Sequence, residues 1–333
     1  MRPAIVAETP HTPHTLNPRT RMNLPPLYLL GGLLAVWTLL TLNTRRSDGT
    51  FLPVPKFRRM LMVIMPTRNE SVVYFDRLVR YEAMEAYLAK AKPLFSADIT
   101  HASVAALNIG LAENPRMNQF VVGGRMYARE GRWVSFSMKR KAMNKEAKLS
   151  AVKLEIADGE SFRALCERIN SNITIERSGK KTASDIEFDV LDMLPRPGLW
   201  FANHLIRWLD YYNLLPYNAF IKGDGMYTSA FVANLGSLGM GPGYHHLYEH
   251  GTCSLFVMIG QVEDRPIVEE GEVKVGRVLH IRFSYDERIA DGLTARDGIE
   301  SVVRVLENPS EHLGCIEADG SDTRPMWPRQ AAS

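Results

Sequence analysis

Three stretches of the chain hold side chains that could do chemistry. The first is the polar loop within GRVLHIRFSYDERIADGLTAR, Gly276 to Arg296, where Asp286, Glu287 and Arg288 crowd three charges together and Asp291-Gly292 follows. A polar loop held between two apolar elements is a candidate site. The second holds His245, His246 and His250, with His-x-x-x-His spacing at 246 and 250. On a helix that spacing puts two imidazoles on one face, as a zinc site needs. Here Gly243 and Gly251 mark a loop and no third ligand stands nearby, so no metal is expected. The third is basic: Lys139, Arg140, Lys141, Lys145 and Lys148 lie within ten residues, as a solvated loop or a site for an anionic ligand.

The elements that must position these stretches follow from the hydrophobic pattern. Val278, His280, Arg282 and Ser284 alternate with Leu279, Ile281, Phe283 and Tyr285, the period of a half-buried strand. Leu293, Ile299, Val302 and Val303 then start a helix just past the charged loop. The histidines precede an apolar strand, Cys253 to Val262. Upstream, Met60 to Met65 reads as a short buried strand or helix start, Val72 to Phe75 as a strand that gives way to helix near Tyr81, and Thr100 to Glu113 as a helix stopped by Asn114-Pro115. Strands follow at Gln119 to Tyr127, Arg132 to Met138 and Ala147 to Ile156. Gly159 to Ile175 is a helix leading to a polar break at Ser178 to Ser184. Leu199 to Leu214 is an amphipathic aromatic helix with Trp200, His204 and Trp208 on one face, where a histidine is more often packed than catalytic.

Composition narrows the class. With 333 residues and 45% hydrophobic content the chain can bury a sizeable core, and 40 basic against 37 acidic residues are too balanced for a nucleic-acid footprint. Cys166, Cys253 and Cys315 are odd in number and far apart, which fits a reducing compartment and no disulfide framework. No phosphate loop, Rossmann glycine fingerprint or H-E-x-x-H motif is present.

Residues 1–23, rich in Pro, Thr and His, read as a disordered tail. Residues 24–42 carry no charge and are about the length needed to cross ~30 Å of hydrocarbon, so a transmembrane anchor is expected there. Arg45, Arg46, Lys56, Arg58 and Arg59 beyond it place the rest of the chain on the cytoplasmic side of an inner or cytoplasmic membrane. The alternatives are an apolar helix packed on a cytoplasmic domain, favoured by Pro25-Pro26 and Gly31-Gly32, and a secretory signal, disfavoured because no small-residue cleavage site follows Leu42. Residues 43–56 read as a linker, 57–310 as the main domain and 311–333 as a C-terminal tail.

Strand, loop, Asp-Gly and helix in that order resemble the end of the chloramphenicol acetyltransferase and dihydrolipoamide acyltransferase superfamily, whose signature is His-x-x-x-Asp-Gly. Asp291 and Gly292 match it, with Glu287 at the histidine position. Asn114, Pro115 and Asn118 match the family's helix end and hairpin. Asn234-Leu235-Gly236 matches the end of its Thr-x-Ser-Asn-Leu-Gly, with Phe231 and Ala233 at the threonine and serine positions. Arg68, in TRNES, resembles the N-terminal arginine that pairs with the signature aspartate. The similarity runs in order over about Phe57 to Pro309.

The resemblance implies a two-layer α/β sandwich with a mixed sheet, helices on one face, and a homotrimer with its cleft between subunits. It implies an acyltransferase using coenzyme A thioesters, whose phosphates the basic run would meet, with a small-molecule acceptor. Arg68 and Asp291 would form an ion pair fixing the loop. In the family the histidine takes a proton from a thiol, and Glu287 stands in its place. A carboxylate near pKa ~4.3 is a weak base for a thiol near ~8.5 and needs burial to serve. His250 or His246, in a loop that in the family borders the acyl channel, could take over as base. His245, Ser229, Asn234 and Gly236 are expected at the substrate. No lipoyl-type Asp-Lys-Ala hairpin precedes residue 57, so a stand-alone enzyme without a lipoyl group is expected. The alternative is an inactive trimeric scaffold that keeps the fold.

Overall fold

The structure, a computed structural model, describes residues 26–139, 149–178, 193–314, 316 and 326. The tail 1–23, residues 24–25, the basic run from Arg140 to Lys148, residues 179–184 of the polar break and most of 315–333 lie outside them. The chain divides into two units, Met1–Asn43 and Thr44–Ser333.

Among the described residues the first unit contains one helix, α1 (Pro26–Leu42), uncharged and apolar all round, with Tyr28, Leu33, Trp37 and Leu39 exposed. Its 17 residues rise ~25 Å at the usual helical pitch. Among the described residues no helix is long and apolar enough to cross a membrane. The described part of the expected span 24–42 is this one helix.

The second unit is built on a six-stranded mixed sheet. Its members are β2 (Val72–Arg80), β5 (Trp133–Lys139), β6 (Leu149–Glu155), β7 (Ala230–Asn234), β8 (Leu255–Glu269) and β9 (Glu272–Asp286), in the order β2-β9-β8-β7-β5-β6. β7 runs parallel to β5 and β8, and the remaining pairs are antiparallel. A smaller antiparallel sheet joins β1 (Gly49–Leu52), β4 (Arg125–Arg129) and β3 (Gln119–Val122). Residues expected as a linker thus supply a strand, and the stretch Gln119 to Tyr127 folds into a hairpin because Gly123 and Gly124 both adopt positive φ.

Four helices cover one face of the large sheet: α3 (Glu82–Ala91), α4 (Ile99–Glu113), α5 (Phe162–Arg177) and, after α6 (Arg196–Tyr211), α7 (Gly292–Glu307). A further helix, α2 (Lys56–Ile64), precedes β2 and buries only Met62. The core alternates as a strand must: Val232, Val257, Ile259, Ile281 and Phe283 join the helical layer, whereas Phe231, Phe256 and Met258 point to the other face. α4 is apolar all round because it lies between the sheet and α7, and Asp98 caps it through the amides of Thr100 and His101.

β9 was expected to be half-buried, yet Arg282 and Ser284 are buried on the face opposite Phe283. The cover on that face is the loop 239–252. A bulge in β8 at Gly260-Gln261 admits it, and Gln261 N donates to Met240 O at 2.9 Å. A Cβ at Gly236 would lie 2.2 Å from Gly260 O, so this approach requires glycine. Beyond Arg265 and Gly276, β8 and β9 pair only with each other, as a ribbon with Val268, Val273 and Val275 exposed.

Candidate active site

The charged loop after β9 divides into buried and exposed halves. Asp286, fully buried, accepts from Arg288 at N (3.0 Å), Nε (2.9 Å) and Nη2 (2.7 Å). Arg288 also donates to the carbonyls of Met65 and Pro66. Glu287 projects outward between them. Its amide donates to Ser71 O at 2.8 Å, and its side chain is exposed, without a hydrogen bond or ion pair among the described residues. Burial, the effect a carboxylate base would need, does not act on it.

Asp291 caps α7, accepting from Thr294 N at 2.9 Å, and that amide holds its carboxyl below the usual range. The cation beside it is Arg58, at 4.0 Å, rather than Arg68. Arg68 is turned inward instead. It donates to the carbonyls of Tyr248, Glu249 and Val121, and burial lowers its pKa despite the nearby charge of Asp286. The expected Arg68–Asp291 pair is absent because the carboxylate serves the helix end while the guanidinium satisfies backbone carbonyls that would otherwise be buried unbonded.

Two arginines strap the histidine loop. At one end Arg68 holds Tyr248 and Glu249. At the other Arg282 donates to Pro242 O at 2.7 Å and sits 3.5 Å above the Tyr244 ring. Arg282 is itself paired with Asp76, its cross-strand partner on β2, at 2.5 and 3.0 Å, and this bond depresses the Asp76 carboxyl.

Within the loop the three histidines do different things. His250 Nε2 lies 2.5 Å from Asp224 Oδ2, and this bond raises the imidazole pKa. Nδ1 of His250 has no partner among the described residues. His245 stacks on Phe256 with centroids 4.2 Å apart, and burial lowers its pKa. His246 is exposed. Ala233, at the family's serine position, packs into the apolar cluster of Phe231, Leu247, Phe256 and Met258. It offers no hydroxyl.

The remaining expected residues are structural in this arrangement. Asn234 bonds Thr100 Oγ1 at 3.0 Å and caps the turn at Ser237 N, Gly236 permits the close approach to Gly260, and Ser229 accepts from Trp133 N at the start of β5. Among the described residues no three metal-ligating side chains converge. His250 and His245 share a loop over β8, but no hydrogen bond or ion pair joins Glu287 to any of the three histidines.

Sequence reasoning missed Asp224, which lies far from His250 in sequence and carries no local signal. It also missed a polar cavity of about 210 Å³ beside Tyr227, lined by Asp48, Arg129, Trp133 and Lys153. There burial lowers Lys153 to about 8 and Arg129 to about 10. Tyr227, one wall of the cavity, meets His250 edge-on at 5.8 Å.

Comparison with known proteins bears on this geometry. The 2-oxoacid dehydrogenases acyltransferase (catalytic domain) family matches residues 224–314. The dihydrolipoyllysine-residue acetyltransferase component of the pyruvate dehydrogenase complex of Staphylococcus aureus (strain Mu50 / ATCC 700699) is 32% identical over 78 residues, 23% of this chain and 18% of that protein. The match thus spans less than a fifth of the curated relatives' length. Among solved structures, a probable dihydrolipoamide acetyltransferase from Listeria monocytogenes 4b F2365 superposes with TM-score 0.52 at 15% identity, covering 80% of this chain and 95% of that one. The dihydrolipoamide acetyltransferase of Azotobacter vinelandii gives 0.52 at 14% identity, covering 79% and 94%. The chain shares the fold of these dihydrolipoamide acetyltransferase structures and, over residues 224–314, is similar in sequence to the 2-oxoacid dehydrogenases acyltransferase (catalytic domain) family.

Proposed function

We propose that this chain is a stand-alone acyltransferase that moves an acyl group between a coenzyme A thioester and a small-molecule acceptor. The observation that carries the reading is the strapped histidine loop within the matched stretch 224–314, which holds His250 on the carboxylate of Asp224. With Nε2 bonded to Asp224, Nδ1 accepts the thiol proton. The thiolate attacks the acyl carbonyl, and the tetrahedral intermediate collapses as the imidazolium returns its proton to the leaving group. Asp224 steadies the imidazolium meanwhile. Lys153 and Arg129, in the cavity beside Tyr227, are not needed for this step.

Assembly as a homotrimer goes with this reading. So does attachment at the cytoplasmic face of a membrane through α1, by insertion of its uncharged surface. The basic run 139–148 would meet the phosphates of coenzyme A.

A specific observation favours the second reading, an inactive scaffold with the same fold. Ala233 cannot donate to an oxyanion, and one such donor is worth about 2.7–4 kcal/mol of barrier. The test is thiol release from acetyl and longer acyl coenzyme A thioesters by the full chain. Slow turnover that falls at least about tenfold in His250→Ala supports the enzyme. Release no faster than the uncatalysed reaction, with parent and variant alike, assigns the chain to the scaffold reading.

A further inference from the structure

The outer face of α6 carries a row of exposed aromatic side chains. Trp200, His204, Trp208 and Tyr211 follow helical spacing along it, with Phe201 and Leu205 in the adjacent row. Trp200 and Phe201 are 64% and 62% exposed, Tyr211 50% and Trp208 45%. The helix does not need this face for its own domain. Its inner side, Ile206 and Leu209, packs on Leu215, Ile221 and Tyr227. The one acid of the helix, Asp210, is turned inward and held by Arg46 at 2.8 Å. The charges left outside are Arg196 and Arg207, both exposed.

Indole, phenol and imidazole each join an apolar ring to a polar edge, the chemistry that settles at the boundary between headgroups and acyl chains. A cationic flank beside such a face complements anionic headgroups. Two-fold packing of the helix on its own copy would set Arg196 and Arg207 against their like, with no acid on the outer face to neutralise them. We infer that α6 is an interfacial helix that lies on an anionic lipid surface with its tryptophan face in the headgroup region. This does not rest on the acyl-transfer reading. It adds a second lipid contact to the attachment proposed for α1, and two weak contacts hold a protein at a bilayer where one is marginal.

The experiment uses the full chain with vesicles of phosphatidylcholine, with and without phosphatidylglycerol, and with lipids brominated in the acyl chains as tryptophan quenchers. Quenching that disappears in Trp200→Phe/Trp208→Phe places α6 at the bilayer. Quenching that disappears in Trp37→Phe reports α1 separately, so either contact can fail alone. Trp200→Asp/Trp208→Asp, checked for an unchanged melting curve, is expected to weaken binding to the anionic vesicles by about tenfold or more. Arg196→Gln/Arg207→Gln is expected to narrow the gap between anionic and neutral vesicles. If quenching is the same in Trp200→Phe/Trp208→Phe as in the parent, the inference falls. It also falls if the aspartate pair dissolves an oligomer while vesicle binding holds, because the face then belongs to a second copy. The phenylalanine pair keeps the test decisive should the aspartate pair fail to fold.

Discussion

The turn after β9 and the loop 239–252 were both expected to carry chemistry, yet they spend their charged groups differently. In the turn, Asp286 and Arg288 neutralise each other in the interior, Asp291 caps a helix, and Glu287 is left in water. In the loop, arginines from outside hold the backbone, which frees an imidazole to sit on a carboxylate with one ring nitrogen unbonded. A signature in sequence marks where the family does its chemistry. Which groups remain free to react depends on what the local backbone demands first.

The comparison breaks most visibly at Asp286. Asp286→Ala leaves Arg288 charged and buried without its partner, and the expected loss is about 3–5 kcal/mol by chemical denaturation. A loss under about 1 kcal/mol would mean that the turn is not a structural unit. Next is Arg282→Met, which removes the bond to Pro242 O and the contact with Tyr244. About 1–2 kcal/mol should go, with faster amide exchange at 240–250 and little change at 286–292.

The third test concerns pH. Asp224 raises the His250 pKa, so the pairing contributes fully below the unfolded histidine value, ~6.5, and is lost as pH rises through the folded value. In Asp224→Asn the imidazole should titrate lower by NMR, and acyl transfer limited by this base should shift its acid limb the same way. An unmoved His250 titration refutes the dyad. Smallest of all is Glu287→Gln: stability within about 0.5 kcal/mol of the parent and unchanged thiol release. A large drop in turnover with the fold intact would return the base to the turn and reverse the contrast.

The fold was legible where periodicity had one reading. Ile281, Phe283, Val257 and Ile259 alternate, α4 ends at its Asn114-Pro115 stop, and the change from strand to helix falls at Tyr81 as the pattern indicates. The mixed sheet with helices on one face is what the family resemblance implies, and the structure has it. The site was less legible, because its contacts are long-range. Nothing local tells Arg68 to choose carbonyls near Glu249 over Asp291, or pairs Asp224 with His250. Arg282 looked solvent-facing because a two-residue period cannot report that a loop covers the second face.

The β8–β9 ribbon makes one hairpin two materials. Leu255 to Ile259 and Leu279 to Tyr285 are flanked by other strands and by the core, whereas beyond Arg265 and Gly276 the outer parts have only each other and an exposed Arg80–Glu269 pair. A two-stranded segment in water is marginal by itself. Amide protons near Glu270-Gly271 should therefore exchange through local opening while those of the same strands further in wait for global unfolding. A protease nick at that tip would leave the sheet assembled, so the hairpin's continuity in sequence is not continuity in mechanical strength.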